Sequence, residues 1–110
     1  MASGRVVVLI TADEAEAQRI AELLLNRRKA ACVNIVSGVK SLFWWQGKLD
    51  GAVESLLIVK TRAALLPEII ELVREVHSYQ VPEIIALPII DGSADYLEWL
   101  DSETGQERAG

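Results

Sequence analysis

The sequence is poor in the residue types that most catalytic and metal sites draw on. Its 110 residues include one cysteine and one histidine. A lone Cys32 excludes an intrachain disulfide, a Cys-x-x-Cys redox pair and a zinc knuckle. A lone histidine means that any Ser-His-Asp or Cys-His arrangement would have to be built on His77. The chain has no glycine-rich phosphate loop, no Gly-x-Ser-x-Gly and no His-Glu-x-x-His. Without a paired nucleophile and base, the expectation is a protein that is not an enzyme. No basic run exceeds Arg27-Arg28-Lys29, and the net charge is -5. Nucleic-acid binding needs a positive field against phosphate, so no nucleic-acid partner is expected. Long apolar runs are also missing. The run Ile84–Ile90 falls well short of the ~20 residues of a spanning helix and contains Pro88. The apolar stretch after MASGR is too short for a secretory core. No membrane association and a cytoplasmic location are expected.

What the chain has in excess is apolar residues. They make up 51% of it, and the mean hydropathy is +0.25. The length suits one domain over 1–110, which buries about two thirds of its unfolded surface. Residues 1–4 and 102–110 are expected to fray. The apolar excess goes beyond the needs of a small monomer and points to a partner subunit.

The order of the apolar segments gives the architecture. VVVLIT (Val6–Thr11) and LLIVKT (Leu56–Thr61) are β-branched runs closed by threonine. Each is followed by a helical period. Ala17, Ile20, Ala21 and Leu24 carry the first, and Leu65, Ile69, Leu72, Val73 and Val76 the second. Each helix leads to another strand candidate, Ala31–Val36 and then Glu83–Ile90. Asp13 with Glu16 three residues on reads as a capping box. Pro67 fits only the first turn of the second helix.

Between the two halves lies VSGVKSLFWWQGKLDGAVES (Val36–Ser55), which has no helical period. Gln46-Gly47 can make a tight turn between two long arms. Ser37-Gly38 and Asp50-Gly51 are candidate bulges.

The fold class is therefore α+β, a ferredoxin-like βαββαβ sandwich with antiparallel sheet order 4-1-3-2 and a long β2-β3 hairpin. A short C-terminal helix should run from Ala94 to about Leu100, capped by Ser93.

Both helices of such a sandwich lie on one face of the sheet. Neither VVVLI nor LLIV alternates, so the second face also needs cover. Another copy of the chain is the simplest cover. Neighbouring strand residues point to opposite faces. One of Trp44 and Trp45 can then face the chain's own core, while the other packs on a neighbouring subunit.

The densest polar segment is HSYQVPE, His77–Glu83. His77 either closes the second helix against its dipole or ligates a metal with Glu83. Copper or zinc usually takes three or four donors, so one imidazole is a thin basis. Lys60, which ends the apolar run of the third strand, either meets an anion in a cleft or snorkels to water. Tyr79 is a second candidate for such a cleft. Cys32 reads as a reduced, buried thiol.

The segments AACVNI, SLFWWQGKL, LLIVKT, HSYQVPEIIALPI and YLEWL, in this order between Val6 and Leu100, resemble the signature segments of the CutA family of divalent-cation tolerance proteins. The resemblance implies a ferredoxin-like homotrimer whose long hairpins pair between subunits, with Phe43, Trp44 and Trp45 in the trimer interface. It also implies heat resistance and a link to tolerance of copper and other divalent metals. Some members of the family bind Cu(II) through a cysteine at the end of strand one and a His-His pair at the end of helix two. Here those positions are Ile10 and Val76-His77, so only His77 matches, and any divalent metal is expected to bind weakly. A trimeric small-molecule sensor with clefts between subunits, like the nitrogen-regulatory PII proteins, is the alternative at the level of fold.

Overall fold

The computed structural model describes residues 4–104. The chain runs β1 (Arg5–Ala12), α1 (Glu14–Asn26), β2 (Cys32–Trp45), β3 (Lys48–Arg62), α2 (Leu66–Val76), β4 (Ile84–Ile89) and α3 (Ala94–Glu103). The sheet order is β2-β3-β1-β4, the expected order read from the other edge, and every pairing is antiparallel. Pro88, which has no N–H to give a ladder, lies on the edge strand β4.

The core forms where the strand and helix periods meet. Val6, Val8, Ile10 and Ala12 of β1 point to one face of the sheet, level with Thr61, Val59, Leu57 and Ser55 of β3. Against them pack Ala17, Ile20, Ala21 and Leu24 of α1, and Ile69 and Val73 of α2. Burial of each large aliphatic side chain there contributes roughly 1.5–3 kcal/mol. Pro67 takes the first turn of α2, as its ring requires.

The opposite face of the sheet carries Val7 and Leu9 of β1, Leu56, Ile58 and Lys60 of β3, and Ile85 and Leu87 of β4. Ile85 and Leu87 are about half exposed there.

The hairpin is longer than any other pair of elements, with arms of 14 and 15 residues. Gln46 and Gly47 both have positive φ, at 52° and 79°. That suits a two-residue turn twisted in the same sense as its strands. The register shifts between Val36 and Val39, so Ser37-Gly38 is a bulge, with Gly38 at φ 75°. Asp50-Gly51 is not one. Asp50 pairs Phe43 and Gly51 pairs Leu42 in an unbroken ladder. Gly51 instead leaves room for its neighbour: a Cβ there would lie 3.1 Å from Leu42 Cδ2.

Two further expectations are corrected. Neither tryptophan reaches this chain's core, because both sit on the hairpin arm beyond the helices. Trp44 is 75% exposed and Trp45 38%. The C-terminal helix continues past Leu100 to Glu103. Residues 102–104 do not fray because arginines from elsewhere hold this end. Arg5 pairs with Asp101 through two bonds of 3.0 and 2.6 Å. Arg28 Nη1 meets Glu103 Oε1 at 2.8 Å, and Arg62 Nε donates to Thr104 Oγ1 at 3.0 Å. Residues 1–3 and 105–110, also expected to fray, lie outside the described residues.

Candidate functional site

His77 follows the last turn of α2, where the chain becomes extended and turns back toward β1. Its side chain is fully buried, with 0% exposure. Nε2 lies 2.7 Å from the Thr11 carbonyl oxygen, which can only accept, so Nε2 carries the proton. Nδ1 accepts the Tyr79 backbone N–H at 3.1 Å. Both ring nitrogens are thus engaged by the protein. The imidazole ties the end of β1 to the loop after α2.

The loop is held from a second side by acids that read in the sequence as a helix cap. Asp13 makes no side-chain cap bond to α1. Its Oδ1 accepts the Tyr79 phenol at 3.1 Å instead. Glu16 Oε1 stands 3.8 Å from His77 Nδ1 and 3.5 Å from the Ser78 amide nitrogen. Glu54 of β3 is buried beside the same phenol. Burial, then the Glu54 and Asp13 carboxylates, push the Tyr79 phenol well above its ordinary value. The His77 and Tyr79 rings pack at 4.5 Å between centroids.

The structure places the other candidates elsewhere. Glu83 is exposed in the stretch leading into β4. Lys60 lies on the face of the sheet opposite α1 and α2, level with Cys32 and Val7. It donates to Asn34 Oδ1. Glu54, beside Tyr79, is six residues along β3 from Lys60, which is ~20 Å of strand. Lys60 and Tyr79 therefore do not share a cleft within one chain. Cys32 is half-buried.

A divalent metal finds no ready donor set among the described residues of one chain. His77 has no free lone pair, and Ile10 and Val76 offer none. Among the described residues no three His, Cys, Asp or Glu side chains are grouped to hold an ion.

Sequence reasoning missed Asp13, Glu16 and Glu54 as members of this cluster. The first two carried a signal, acids opening a helix, but it pointed to the helix itself. Glu54 carried a weaker one, a carboxylate entering an otherwise apolar strand.

The comparisons with known proteins agree with this architecture. The family model described as CutA1 divalent ion tolerance protein matches residues 6–103. The chain is 49% identical over 100 residues to the divalent-cation tolerance protein CutA of Thermus thermophilus, covering 90% of this chain and 97% of that protein. It is 48% identical over 100 residues to the chloroplastic protein CutA 1 of Oryza sativa subsp. japonica, covering 90% of this chain and 56% of that protein. A chloroplastic CutA of Arabidopsis thaliana is 47% identical and covered over 55% of its length. The chain thus spans about half the length of these two plant relatives. The solved structure of CutA1 from Oryza sativa superposes with a TM-score of 0.91 at 42% identity, over 97% of this chain and 100% of that one. The Thermus thermophilus structure gives 0.89 at 48% identity, over 92% and 99%. With the family model running from β1 to the last residue of α3, this chain belongs to the CutA1 family of divalent ion tolerance proteins.

Proposed function

We propose that the chain serves divalent-cation tolerance as a cytoplasmic, non-enzymatic homotrimer that binds divalent metal such as copper only weakly. The observation that carries the reading is the family match over residues 6–103. The assembly is supported by the hairpin. Leu42, Trp44, Leu49 and Val53 stand on one side of it with exposures of 65–75%. Leaving a tryptophan in water forgoes roughly 2 kcal/mol or more of burial, so a second copy lying on this face is strongly favoured.

Weak metal binding follows from the donors. A metal at His77 has to displace the Thr11 carbonyl or the Tyr79 N–H, and a lost buried hydrogen bond costs roughly 1–3 kcal/mol. Glu83 is a free carboxylate in the same connection and can complete a site only where further donors meet it.

Calorimetric titration of chelator-stripped protein with Cu(II) and Zn(II) tests this, with the mass measured by light scattering in the same buffer. Saturable binding at an integral ratio per trimer, weakened in Glu83→Gln and in His77→Gln, is the expected result. No saturable heat even at metal far in excess of the protein overturns the metal assignment. A monomer mass overturns the assembly. Cell fractionation tests the location.

A further inference from the structure

The hydrogen bonding of His77 is that of a metal ligand on one side of its ring. A histidine that ligates through one nitrogen almost always gives the N–H of the other to a carbonyl or carboxylate, which fixes the tautomer and aims the lone pair. Here Nε2 gives its proton to the Thr11 carbonyl at 2.7 Å, at the end of β1. The lone pair is therefore on Nδ1. It faces the carboxylate of Glu16, in the first turn of α1, with Oε1 at 3.8 Å.

Two Lewis bases thus stand face to face. A neutral imidazole nitrogen with its lone pair and a carboxylate oxygen both accept, and neither donates. The Glu16 side chain is only 14% exposed. Among the described residues no lysine or arginine pairs with it. A charge drawn that far from water is costly unless donors or a cation meet it. The donor nearest Glu16 Oε1 is the Ser78 amide, at a long 3.5 Å. A metal held by an imidazole nitrogen and a carboxylate oxygen stands about 2.0–2.2 Å from each. Its two donors are then ~3.4 Å apart at a tetrahedral angle and at most ~4.3 Å apart in line. The 3.8 Å between Nδ1 and Oε1 lies within that span.

We propose that Glu16 of α1 is the carboxylate that joins His77 Nδ1 on a divalent metal, and that Nδ1 gives up the Tyr79 amide to bind it. This rests on the weak-metal reading above and puts Glu16 ahead of Glu83, which is exposed in the stretch leading into β4. Two side-chain donors leave the other positions on the ion to water. That agrees with weak binding and with the lack of a three-residue donor group among the described residues. One imidazole and one carboxylate suit borderline ions such as Zn(II) and Cu(II). Soft Cu(I) lacks a thiolate, and hard Mg(II) prefers oxygen alone. The exchange at Nδ1 also couples the metal to the loop after α2. Once the Tyr79 amide is released, the bond of the Tyr79 phenol to Asp13 Oδ1 at 3.1 Å is left to hold that residue.

The test is a titration of the full, chelator-stripped, 15N-labelled chain with Zn(II), followed by NMR. The expected result is a saturable shift of His77 Nδ1, with Nε2 still protonated. The Ser78 and Tyr79 amides should shift with it, and hydrogen exchange at the Tyr79 amide should quicken. Glu16→Gln keeps the size and removes the charge. It should weaken zinc by at least about tenfold, more than Glu83→Gln does. Glu14→Gln removes the same charge from an exposed position in the same turn and should leave the affinity within about twofold. Equal affinity in Glu16→Gln overturns the inference, as does an equal loss in Glu14→Gln, the mark of a general field. If His77→Gln still abolishes binding in that case, the weak-metal reading stands without Glu16. Zinc on Nε2, or an undisturbed Tyr79 amide, overturns the inference as well. No saturable shift in the unaltered chain, at zinc far in excess, overturns the weak-metal reading itself. Should Glu16→Gln fail to fold by circular dichroism, Glu16→Ala replaces it, and unchanged affinity there is the overturning result.

Discussion

At the scale of single residues, the centre of the molecule's polar chemistry is a buried histidine with both nitrogens spoken for. His77→Ala removes the ring between the Thr11 carbonyl and the Tyr79 N–H and leaves a cavity. The expected cost is roughly 2–4 kcal/mol, read from urea unfolding. The neighbouring phenol gives a pH signature. The folded-state value of Tyr79 is raised, so the fold favours its protonated form. That contribution is whole below the unfolded value of about 10 and is lost as pH rises toward the folded value. Ultraviolet titration should therefore show Tyr79 ionising late, together with unfolding, and Tyr79→Phe should flatten the alkaline loss of stability. His77 and Tyr79 were legible in the sequence as a polar cluster beside a strand end. Their partners were not. Asp13 and Tyr79 are 66 positions apart, and Glu16 and Ser78 are 62 apart. A local pattern such as a capping box cannot report a bond that only the closed fold creates.

At the scale of elements, the two periodicities carried most of the information. The period of 3.6 located α1 and α2, and the continuous apolar runs located the two central strands. The hairpin turn was legible because Gln46-Gly47 is a short signal with a backbone cause. Asp50-Gly51 gave the same kind of signal, yet glycine serves there to admit the Leu42 side chain and the ladder continues. The length of α3 was misjudged for a related reason. DSETG is polar, and polarity alone reads as a frayed end. Arg5 in fact holds the Asp101 carboxyl below its ordinary value through two hydrogen bonds. The sign follows from that direction. A lowered folded value means that the contribution is present above the ordinary carboxylate value, about 3.9, and is lost as pH falls through the folded one. Asp101→Asn should destabilise the protein at neutral pH by no more than about 1 kcal/mol, because the pair is partly exposed. It should also soften the acid limb of the stability profile, measured by thermal unfolding across pH.

At the scale of the whole molecule, the chain is a complete sandwich with an incomplete surface. The helices α1 and α2 cover one face of the sheet, α3 reaches only one end of the other, and the hairpin extends the longest dimension to 47 Å. The need for cover was legible from runs that fail to alternate, but which tryptophan would need it was not, since that depends on where the helices end. Trp44→Lys places a charge in the middle of the exposed hairpin face and should lower the mass seen by light scattering while leaving the far-ultraviolet spectrum nearly unchanged. Retention of the full mass would rule this face out as the contact between copies.

The clasp between Arg5 and Asp101 joins positions 96 residues apart, almost the whole length of the described chain. Contacts of that separation close a very long loop, and the expectation is that they form late, after the sheet. A bond absent from the rate-limiting state leaves the speed of folding alone and slows only escape from the native state. Loss of the clasp should therefore leave the folding arm of a chevron plot where it is and lift the unfolding arm. With that outcome the bond is a kinetic lock, governing how long the folded molecule lasts between openings.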